Sequence, residues 1–287
     1  MANPVEQHVL YQIFNAPVRT YPYPHIYVEN VFPEEFYREL RSNWPDGSAF
    51  VPLGATGRVP QGAYPERFVI PVSPEGIATL TPDRRPFWDG FGQWFAGHDF
   101  CMAMIEKFEG EVMERLGNDI ATCTYGADVL AVRDLTNYSI GPHTDAPHRL
   151  ITMLFYCPED DSRQHLGTSI YWPNDNDFRC RGGPHYPFNR FRKITTMPYK
   201  RNSLFAFFKD ERSFHGVEPI PDKDFKRDLM LYDDYTRNFT SLLKDELFRR
   251  AKLTPADVDA AIRFAGSRNE GEPRGIARTP SYIYNKL

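Results

Sequence analysis

The sequence predicts an α+β protein that is mainly β, with a double-stranded β-helix (jelly-roll) core between N- and C-terminal helices. From Thr122 onward, short apolar runs separated by turn residues replace the helical period, which is the pattern of a β-sheet. Eight such runs within about 110 residues are typical of a double-sheet jelly roll or a closed barrel. Helical periodicity returns on both sides of this region.

Residues 1–121 are expected to support the core with helices and loops. Residues 1–20 have weak periodicity and are predicted to form an arm or an edge element. Tyr23–Val28 has the character of a short strand. Pro33 can occupy a helix start, and the apolar residues of the amphipathic helix that follows recur every four positions, at Phe36, Leu40 and Trp44.

The rest of this N-terminal part divides into a loop-rich segment and a helical segment. Residues 45–83 are rich in Gly and Pro, so we expect loops with a strand near Arg67–Val72. Arg85–Leu116 carries a helical apolar stripe. Because glycine disfavours helix interiors, three glycines predict a break in the first part of this helical segment, at Gly90, Gly92 and Gly97.

The core is predicted over residues 122–240, which together with 1–121 would form a single domain. Its eight expected strands are Asp128–Asp134, Tyr138–His143, Leu150–Cys157, Thr168–Trp172, Ile194–Pro198, Ser203–Phe208, His215–Pro219 and Arg227–Tyr235. The polar segment between Trp172 and Lys193 is too long for an ordinary hairpin, which favours a functional role. Residues 241–287 are expected to form helices over Ser241–Lys252 and after the N-cap Thr254, and then a poorly ordered tail.

Composition narrows the class of protein. Of 287 residues, 41% are hydrophobic and 25% charged, which is ordinary for a globular chain, and the net charge of −4 gives no reason to expect nucleic-acid binding. We expect no secretory signal and no membrane span, because no basic start leads into an apolar core and no apolar run is long enough. The chain is therefore predicted to be cytoplasmic with reduced cysteines, and its oligomeric state is not predicted.

The residues that indicate chemistry are His143 and Asp145, in the motif H-T-D, together with His215. Side chains two positions apart on an extended strand point to the same face, so the first two can address one ion and a second imidazole can complete three ligands. Two histidines and one carboxylate suit ferrous iron and leave adjacent positions open for chemistry. A structural zinc site would instead close the sphere with four ligands and favour cysteine.

This order of motifs resembles the Fe(II)/2-oxoglutarate-dependent dioxygenase superfamily, in its prolyl-hydroxylase-like branch. The resemblance covers Arg133–Arg227, with a weaker match in P-Y-P-H-I-Y-V-E-N-V-F-P-E-E-F near the N-terminus. H-T-D follows a strand containing Tyr and Gly, a second His lies in F-H-G-V-E-P, and a basic residue opens K-R-D-L-M-L-Y. The family has a jelly-roll core, which agrees with the strand pattern.

The resemblance implies roles for these residues. His143, Asp145 and His215 would hold Fe(II), with 2-oxoglutarate and O2 taking the remaining positions. The second carboxylate of 2-oxoglutarate would bind a buried cation at Arg227, or at Lys226 as in some relatives. Three further residues are candidates for contacts with the cosubstrate: Tyr156, Arg133 and Tyr138. Because Asp145 is present, halogenation is disfavoured and hydroxylation with release of succinate and CO2 is expected. Desaturation, epoxidation and ring closure would use the same ligands and stay open as reaction types.

Substrate identity is less constrained. Arg149, His185 and Arg190 are candidates for the substrate mouth, and the arginines of the 174–192 loop suit a polar or anionic small molecule such as a sugar or amino-acid derivative. Three alternatives stay open: hydroxylation of a protein side chain, a non-oxidative metal-dependent hydrolase or isomerase, and a non-catalytic binding protein. Each residue also has a structural explanation, namely core histidines, a surface pair of Arg227 with Asp224 or Asp228, and exposed loop side chains.

Overall fold

The computed structural model of the chain describes residues 3–117 and 123–236. The C-terminal helices and tail expected after residue 240 lie outside these ranges. Within them the core consists of eight strands: β4 (Tyr125–Asp134), β5 (Ile140–His143), β6 (Arg149–Tyr156), β7 (Ser169–Pro173), β8 (Phe191–Thr196), β9 (Ser203–Phe208), β10 (His215–Val217) and β11 (Arg227–Thr236). Each overlaps one of the eight predicted strands.

The core strands form two antiparallel sheets that face each other. The N-terminal part contributes β1 (His25–Glu29), β2 (Val51–Pro52) and β3 (Arg67–Pro71) to the larger sheet. The larger sheet has the order β1-β9-β6-β11-β4-β3-β2 and the smaller has the order β5-β10-β7-β8. From β4 to β11 the chain crosses repeatedly between the two sheets, and this double-sheet arrangement is a jelly roll. The predicted fold class is therefore confirmed.

The N-terminal part adds three strands to the larger sheet and covers its outer face with helices. The strands are β1, β2 and β3, and the helices are α1 (Pro4–Asn15), α2 (Glu34–Ser42), α3 (Pro74–Ile77), α4 (Arg85–Phe95), α5 (His98–Lys107) and α6 (Glu109–Leu116). No helix in the described part of the chain is long and apolar enough to cross a membrane.

Two features of these helices differ from, or refine, the prediction. Helix α1 replaces the expected arm: the Asn3 side chain accepts a hydrogen bond from the backbone of Val5, Pro4 begins the helix, and Val9 and Ile13 are buried. The predicted break in the long helical region lies at Gly97, where a Cβ would come within 2.8 Å of the Gln93 carbonyl oxygen. The chain turns there so close to the end of α4 that a side chain at this position would collide with it.

The larger sheet is buried on both faces. On β11, Met230 and Tyr232 pack toward the helices, whereas Leu229 and Leu231 face the smaller sheet. The helix side is filled by large aromatic side chains, among them Phe95, each contributing about 1.5–3 kcal/mol when fully buried. Alternate residues of one strand therefore enter two different environments, and only the face toward the smaller sheet reaches the site described below.

Asp234 of β11 is fully buried, and burial raises the pKa of its carboxyl well above the ordinary value, with a hydrogen bond from the Cys101 thiol opposing the rise. A raised folded-state pKa means that this acid costs no stability below its unfolded pKa and costs progressively more as the pH rises above it. We expect Asp234→Asn to increase the free energy of unfolding, by up to about 1.4 kcal/mol for each pH unit between the two pKa values.

Thermal unfolding at pH 5 and pH 8 checks this expectation, since the gain in melting temperature must be larger at pH 8. Asp89→Asn, which removes an exposed carboxylate from α4, is the matched control. An equal gain at both pH values would contradict the titration of Asp234.

Candidate metal centre

Two neighbouring strands of the smaller sheet bring the predicted ligands together. His143 ends β5, His215 begins β10, and the two residues are register partners. Their ring centroids are 4.3 Å apart, and His215 Nε2 lies 3.8 Å from Oδ2 of Asp145. One ligand atom from each of these three buried residues lies within 4.8 Å of the others. The three side chains can therefore hold one ion.

Backbone carbonyls fix the orientation of both imidazoles. Nδ1 of His143 is 2.9 Å from the Gly141 oxygen, and Nδ1 of His215 is 3.0 Å from the Ser213 oxygen. A carbonyl can only accept, so each Nδ1 carries the proton and each Nε2 keeps its lone pair for a metal. Burial lowers the pKa of both histidines, which keeps them neutral and ready to bind.

The carboxylate of Asp145 is held as an anion. Burial opposes its ionisation, but its surroundings, which combine the two imidazoles with the Arg149 guanidinium and the Thr152 hydroxyl, outweigh burial and lower its pKa below the ordinary value. Thr152 Oγ1 donates to Oδ2 at 2.7 Å and Arg149 donates to Oδ1 at 3.2 Å. These bonds orient the carboxylate, as partners of metal ligands commonly do.

The ligand set suits an open, catalytic cation. Two neutral imidazoles and one carboxylate are the donors that bind ferrous iron in oxygenases. The three residues lie on the wall of a cavity of about 620 Å³, so the remaining coordination positions face open space. Among the described residues no fourth His, Cys, Asp or Glu joins the cluster, in contrast to a closed structural zinc site. The residues present fit Fe(II).

A segment of the long 173–193 loop supports the metal-binding loop. Thr144 donates its hydroxyl to the Cys180 carbonyl at 2.8 Å, and the Tyr186 N–H bonds to the Pro142 carbonyl at 3.0 Å. Gly182 has a φ of 132° and lies directly against the Asp145 carbonyl, where a Cβ would not fit. This backbone-to-backbone packing holds Asp145 in position, which is a structural role for a loop whose function the sequence left open.

Arg227 lies at the inner end of the same cavity, buried with 1% exposure. Its Nε donates to the Leu166 carbonyl at 2.7 Å, one terminal nitrogen to Asp134 at 2.8 Å, and the other to Thr168 Oγ1 at 3.2 Å. A guanidinium has five N–H donors, so these three bonds leave one on each terminal nitrogen, and the Tyr156 hydroxyl also takes a hydrogen bond from Arg227. One charged N–H donor therefore remains for an incoming carboxylate.

Arg67 makes the inner end of the cavity cationic. Asp134 is shared by two arginines, because Arg67 donates to both of its oxygens, at 2.6 and 2.9 Å, while Arg227 donates to one. One carboxylate therefore neutralises only one of two guanidinium charges. Tyr138 lines the same end, beneath the Arg67 guanidinium, and its buried hydroxyl has no hydrogen-bond partner among the described residues. The surplus positive charge and the unused hydroxyl fit an incoming anion.

The register of the smaller sheet sets the separation between this cationic end and the metal cluster. His215 pairs with Ile170 of β7, and Thr168, which accepts from Arg227, precedes Ile170 by two residues. Two residues of extended chain span roughly 7 Å. A short dicarboxylate with one end at the metal and the other at Arg227 matches this spacing.

Three other predicted site residues lie at or near the cavity. Arg149 lines the cavity next to Asp145, and His185 lines its mouth, with its ring centroid 4.4 Å from that of His143 and a hydrogen bond to the Tyr64 hydroxyl. Tyr156 is buried next to Arg227, 5.5 Å from its guanidinium, and accepts a hydrogen bond from the Thr168 backbone. Tyr156 lies behind Arg227 and is not among the residues of the cavity wall.

Two predicted site residues are not brought to the cavity, and these predictions are corrected. Arg133 is on the opposite face of β4, where it donates to both oxygens of Asp228 at 2.7 and 3.0 Å. Arg190 is exposed and stacks on the rings of Phe178 and Tyr186. Of the two predicted cations, Arg227 lines the cavity and Lys226 is exposed.

The arginines that line the cavity come from other segments than the 174–192 loop. Arg58 and Arg67 belong to the connection before β3 and to β3 itself, whereas Arg181 of the loop pairs with Glu211. Sequence reasoning also missed a set of polar residues around the site: Asp128, Asp134, Thr152, Thr168 and Asp233. The sequence did contain a signal for four charged residues at the site. Asp128 and Asp134 are an even number of residues apart on β4, as are Arg227 and Asp233 on β11, so each pair lies on one face of its strand.

Comparison with known proteins gives similarity at the level of structure. No family model and no curated protein matches the sequence. The chain is similar to a prolyl hydroxylase from Trichoplax adhaerens in complex with a hypoxia inducible factor peptide fragment (14% identity, 80% of this chain and 88% of that chain, TM-score 0.43). It is also similar to a prolyl 4-hydroxylase from Phytophthora capsici (12% identity, 83% of this chain and 67% of that chain, TM-score 0.48). A third similar structure is HygX from Streptomyces hygroscopicus with nickel and 2-oxoglutarate bound (10% identity, 75% of this chain and 83% of that chain, TM-score 0.40).

Proposed function

We propose that this chain is an Fe(II)- and 2-oxoglutarate-dependent oxygenase that hydroxylates an unactivated C–H bond of a polar small molecule. One observation carries the proposal. A single cavity contains an open cluster of two histidines and one aspartate, and at its inner end the buried Arg227 and Arg67, which share the one carboxylate of Asp134. A metal-dependent hydrolase would have no use for a second, cationic end at this distance from the metal.

The chain's own residues would divide the work between the two ends. His143, Asp145 and His215 would hold Fe(II), and Arg227, with the Tyr138 hydroxyl, would bind the distal carboxylate of 2-oxoglutarate. When bound, the iron and 2-oxoglutarate would supply the oxidation, in which O2 converts substrate and 2-oxoglutarate into hydroxylated substrate, succinate and CO2. Apolar walls between the two ends, which include Val132, Leu154 and Val217, would exclude water and strengthen the electrostatic contacts.

The volume and the lining of the cavity support a small molecule over a protein side chain as substrate. Its volume of about 620 Å³ lies within the range of ordinary ligand pockets. Arg58, Asp128, Arg149 and Asp233 line the part near the metal cluster, so the substrate region is polar and charged. Sugar and amino-acid derivatives suit such a lining.

Anaerobic addition of Fe(II) and 2-oxoglutarate tests the proposal. We expect a weak visible charge-transfer band that requires both additions and that is absent in His143→Ala. Metal binding is measured separately, by equilibrium dialysis. If the metal binds and 2-oxoglutarate produces neither a band nor a heat of binding, the oxygenase assignment is wrong, and turnover without O2 would favour a hydrolase or isomerase.

Tyr138→Phe distinguishes a ligand-binding hydroxyl from a packing residue. The hydroxyl is buried without a partner among the described residues, so its removal should leave stability unchanged or raise it by about 1 kcal/mol. Loss of one hydrogen bond to a carboxylate costs about 1.5–3 kcal/mol, so 2-oxoglutarate should bind about ten- to a hundredfold more weakly. Calorimetric titration and thermal unfolding of the same sample check both expectations. Unchanged affinity would remove Tyr138 from the binding site.

A further inference from the structure

We propose that Arg58 and Arg149 form a receptor for an anionic oxygen group of the substrate, a carboxylate or a phosphate, next to the metal cluster. This inference rests on the proposed function and specifies its substrate class. Both arginines line the cavity, and their side chains are 14% and 22% exposed. They converge on one buried carboxylate, because Asp233 accepts from Arg149 at 3.0 Å on Oδ1 and from Arg58 at 3.4 Å on Oδ2.

The hydrogen bonds made by the two arginines leave most of their donors unused. Arg58 uses one terminal nitrogen, which contacts Asp128 and Asp233, and Arg149 uses one terminal nitrogen, which contacts Asp145 and Asp233. Of five N–H groups on each guanidinium, two are engaged and three have no partner among the described residues. Together the pair therefore has six N–H groups without a partner among the described residues.

The carboxylates of the same cluster are partly engaged by the two arginines. Asp233 accepts from Arg149 on one oxygen and from Arg58 on the other, and Asp128 accepts from Arg58 on one oxygen. The single proton of the Thr152 hydroxyl is donated to Asp145, so it adds no donor here. Because a carboxylate has about four acceptor sites, about five of eight remain, against six N–H groups without a partner among the described residues. The remaining donors outnumber the remaining acceptors, which favours an anion.

This receptor is separate from the cosubstrate anchor. On β11, Asp233 pairs with Asp128 and Arg227 pairs with Asp134, six residues away along both strands. Six residues of extended chain correspond to roughly 20 Å. The Arg58–Arg149 pair is on the metal side of the cavity, since Arg149 also contacts the ligand Asp145, so an anion bound there would bring the attached carbon chain toward the metal.

The aspartates orient the arginines and limit their charge. Asp128 and Asp233 together offset the two guanidinium charges, so the empty receptor is close to neutral. Its preference for anions then comes from directed N–H donors more than from net charge. Amides and other neutral acceptors would satisfy fewer of these donors and would lack the charge-assisted strength of an oxyanion.

Binding of small anions to protein loaded with Ni(II) and 2-oxoglutarate tests the receptor, because nickel prevents turnover and 2-oxoglutarate fills the Arg227 end. The probes are inorganic phosphate, propionate and, as the neutral match, propionamide, each titrated by NMR or calorimetry. We expect saturable binding of phosphate or propionate and at least tenfold weaker binding of propionamide. Tighter phosphate indicates a phosphorylated substrate, and tighter propionate a carboxylic acid. Equal binding of propionate and propionamide, with no binding of phosphate, overturns the proposal.

Variants assign the binding to these residues. The double variant Arg58→Gln/Asp128→Asn removes both members of an ion pair, which preserves net charge and avoids an unpaired buried carboxylate. It should weaken anion binding at least tenfold without changing 2-oxoglutarate affinity. Arg58→Lys, which keeps the positive charge but loses the planar set of N–H donors, should have an intermediate effect. Arg190→Gln, away from the cavity, is the control.

Two outcomes would contradict the receptor, and both differ from failure of the oxygenase assignment. Anion binding that survives in the double variant and in Arg58→Lys places the anion elsewhere. A double variant that loses 2-oxoglutarate affinity instead would mean that the cosubstrate occupies this end. If wild-type protein fails to bind 2-oxoglutarate, the proposed function fails, while the same anion titration on metal-free protein still shows whether the arginine pair binds oxyanions.

Discussion

Arg227→Ala is expected to raise the 2-oxoglutarate concentration needed for half-saturation by a factor of a hundred to several thousand. The residue is almost fully buried, and its guanidinium shares the carboxylate of Asp134 with Arg67, which leaves positive charge for a carboxylate at the inner end of the cavity. Without it, a buried carboxylate would lose its charged partner, at a cost of about 3–5 kcal/mol. Calorimetric titration of the metal-loaded variant with 2-oxoglutarate measures the effect.

The variant should remain folded, since Asp134 keeps its two hydrogen bonds from Arg67. Lys226→Ala is the matched control, because it removes a cation one residue away that is exposed. Loss of 2-oxoglutarate affinity in Lys226→Ala but not in Arg227→Ala would mean that the strand presents its other face to the ligand. Equal, small effects in both variants would place the anchor at another residue.

His143→Ala is expected to abolish tight binding of a divalent metal. The substitution removes one of three ligands, and the two that remain, Asp145 and His215, cannot hold the ion from one side of the cavity. Because a ligand present at a hundred times its Kd stabilises the native state by about 2.7 kcal/mol, wild-type protein should melt at a higher temperature with Fe(II) or Ni(II) than without. The variant should show no such shift.

His165→Ala is a suitable control for this experiment, since it removes an exposed imidazole outside the cluster. Metal content after dialysis provides a second, independent measure. If His143→Ala retains its metal and its thermal shift, then the ion is bound by a different set of residues, and the assignment of the whole site fails with it.

The sequence predicted the jelly roll well because its strands are short, apolar and separated by turn residues. It predicted the grouping of His143, Asp145 and His215 because residues two apart share a face and because the family pattern supplied the second histidine. It could not choose between Arg227 and Lys226 by strand parity, since β11 is covered by helices on one face and by the smaller sheet on the other. Burial on both faces removes the alternation that would show which side chain points inward.

The same property explains the error at Arg133. Arg133 and Asp134 are neighbours on β4, so they point to opposite faces, and only Asp134 is directed to the cavity side, where it meets Arg67 and Arg227. The cavity arginines Arg58 and Arg67 were missed for a different reason. They come from a loop-rich segment without periodicity, and their partners lie more than sixty residues away in sequence.

The division of Asp134 between Arg227 of the jelly roll and Arg67 of β3 means that the cationic end of the cavity extends beyond the barrel. A fragment that began at β4 would retain His143, Asp145, His215 and Arg227, yet Asp134 would then pair with Arg227 alone. Under the proposed function, such a truncated protein would have a metal site without the surplus positive charge that recruits a dicarboxylate. Grafts or truncations of this barrel should therefore retain β3.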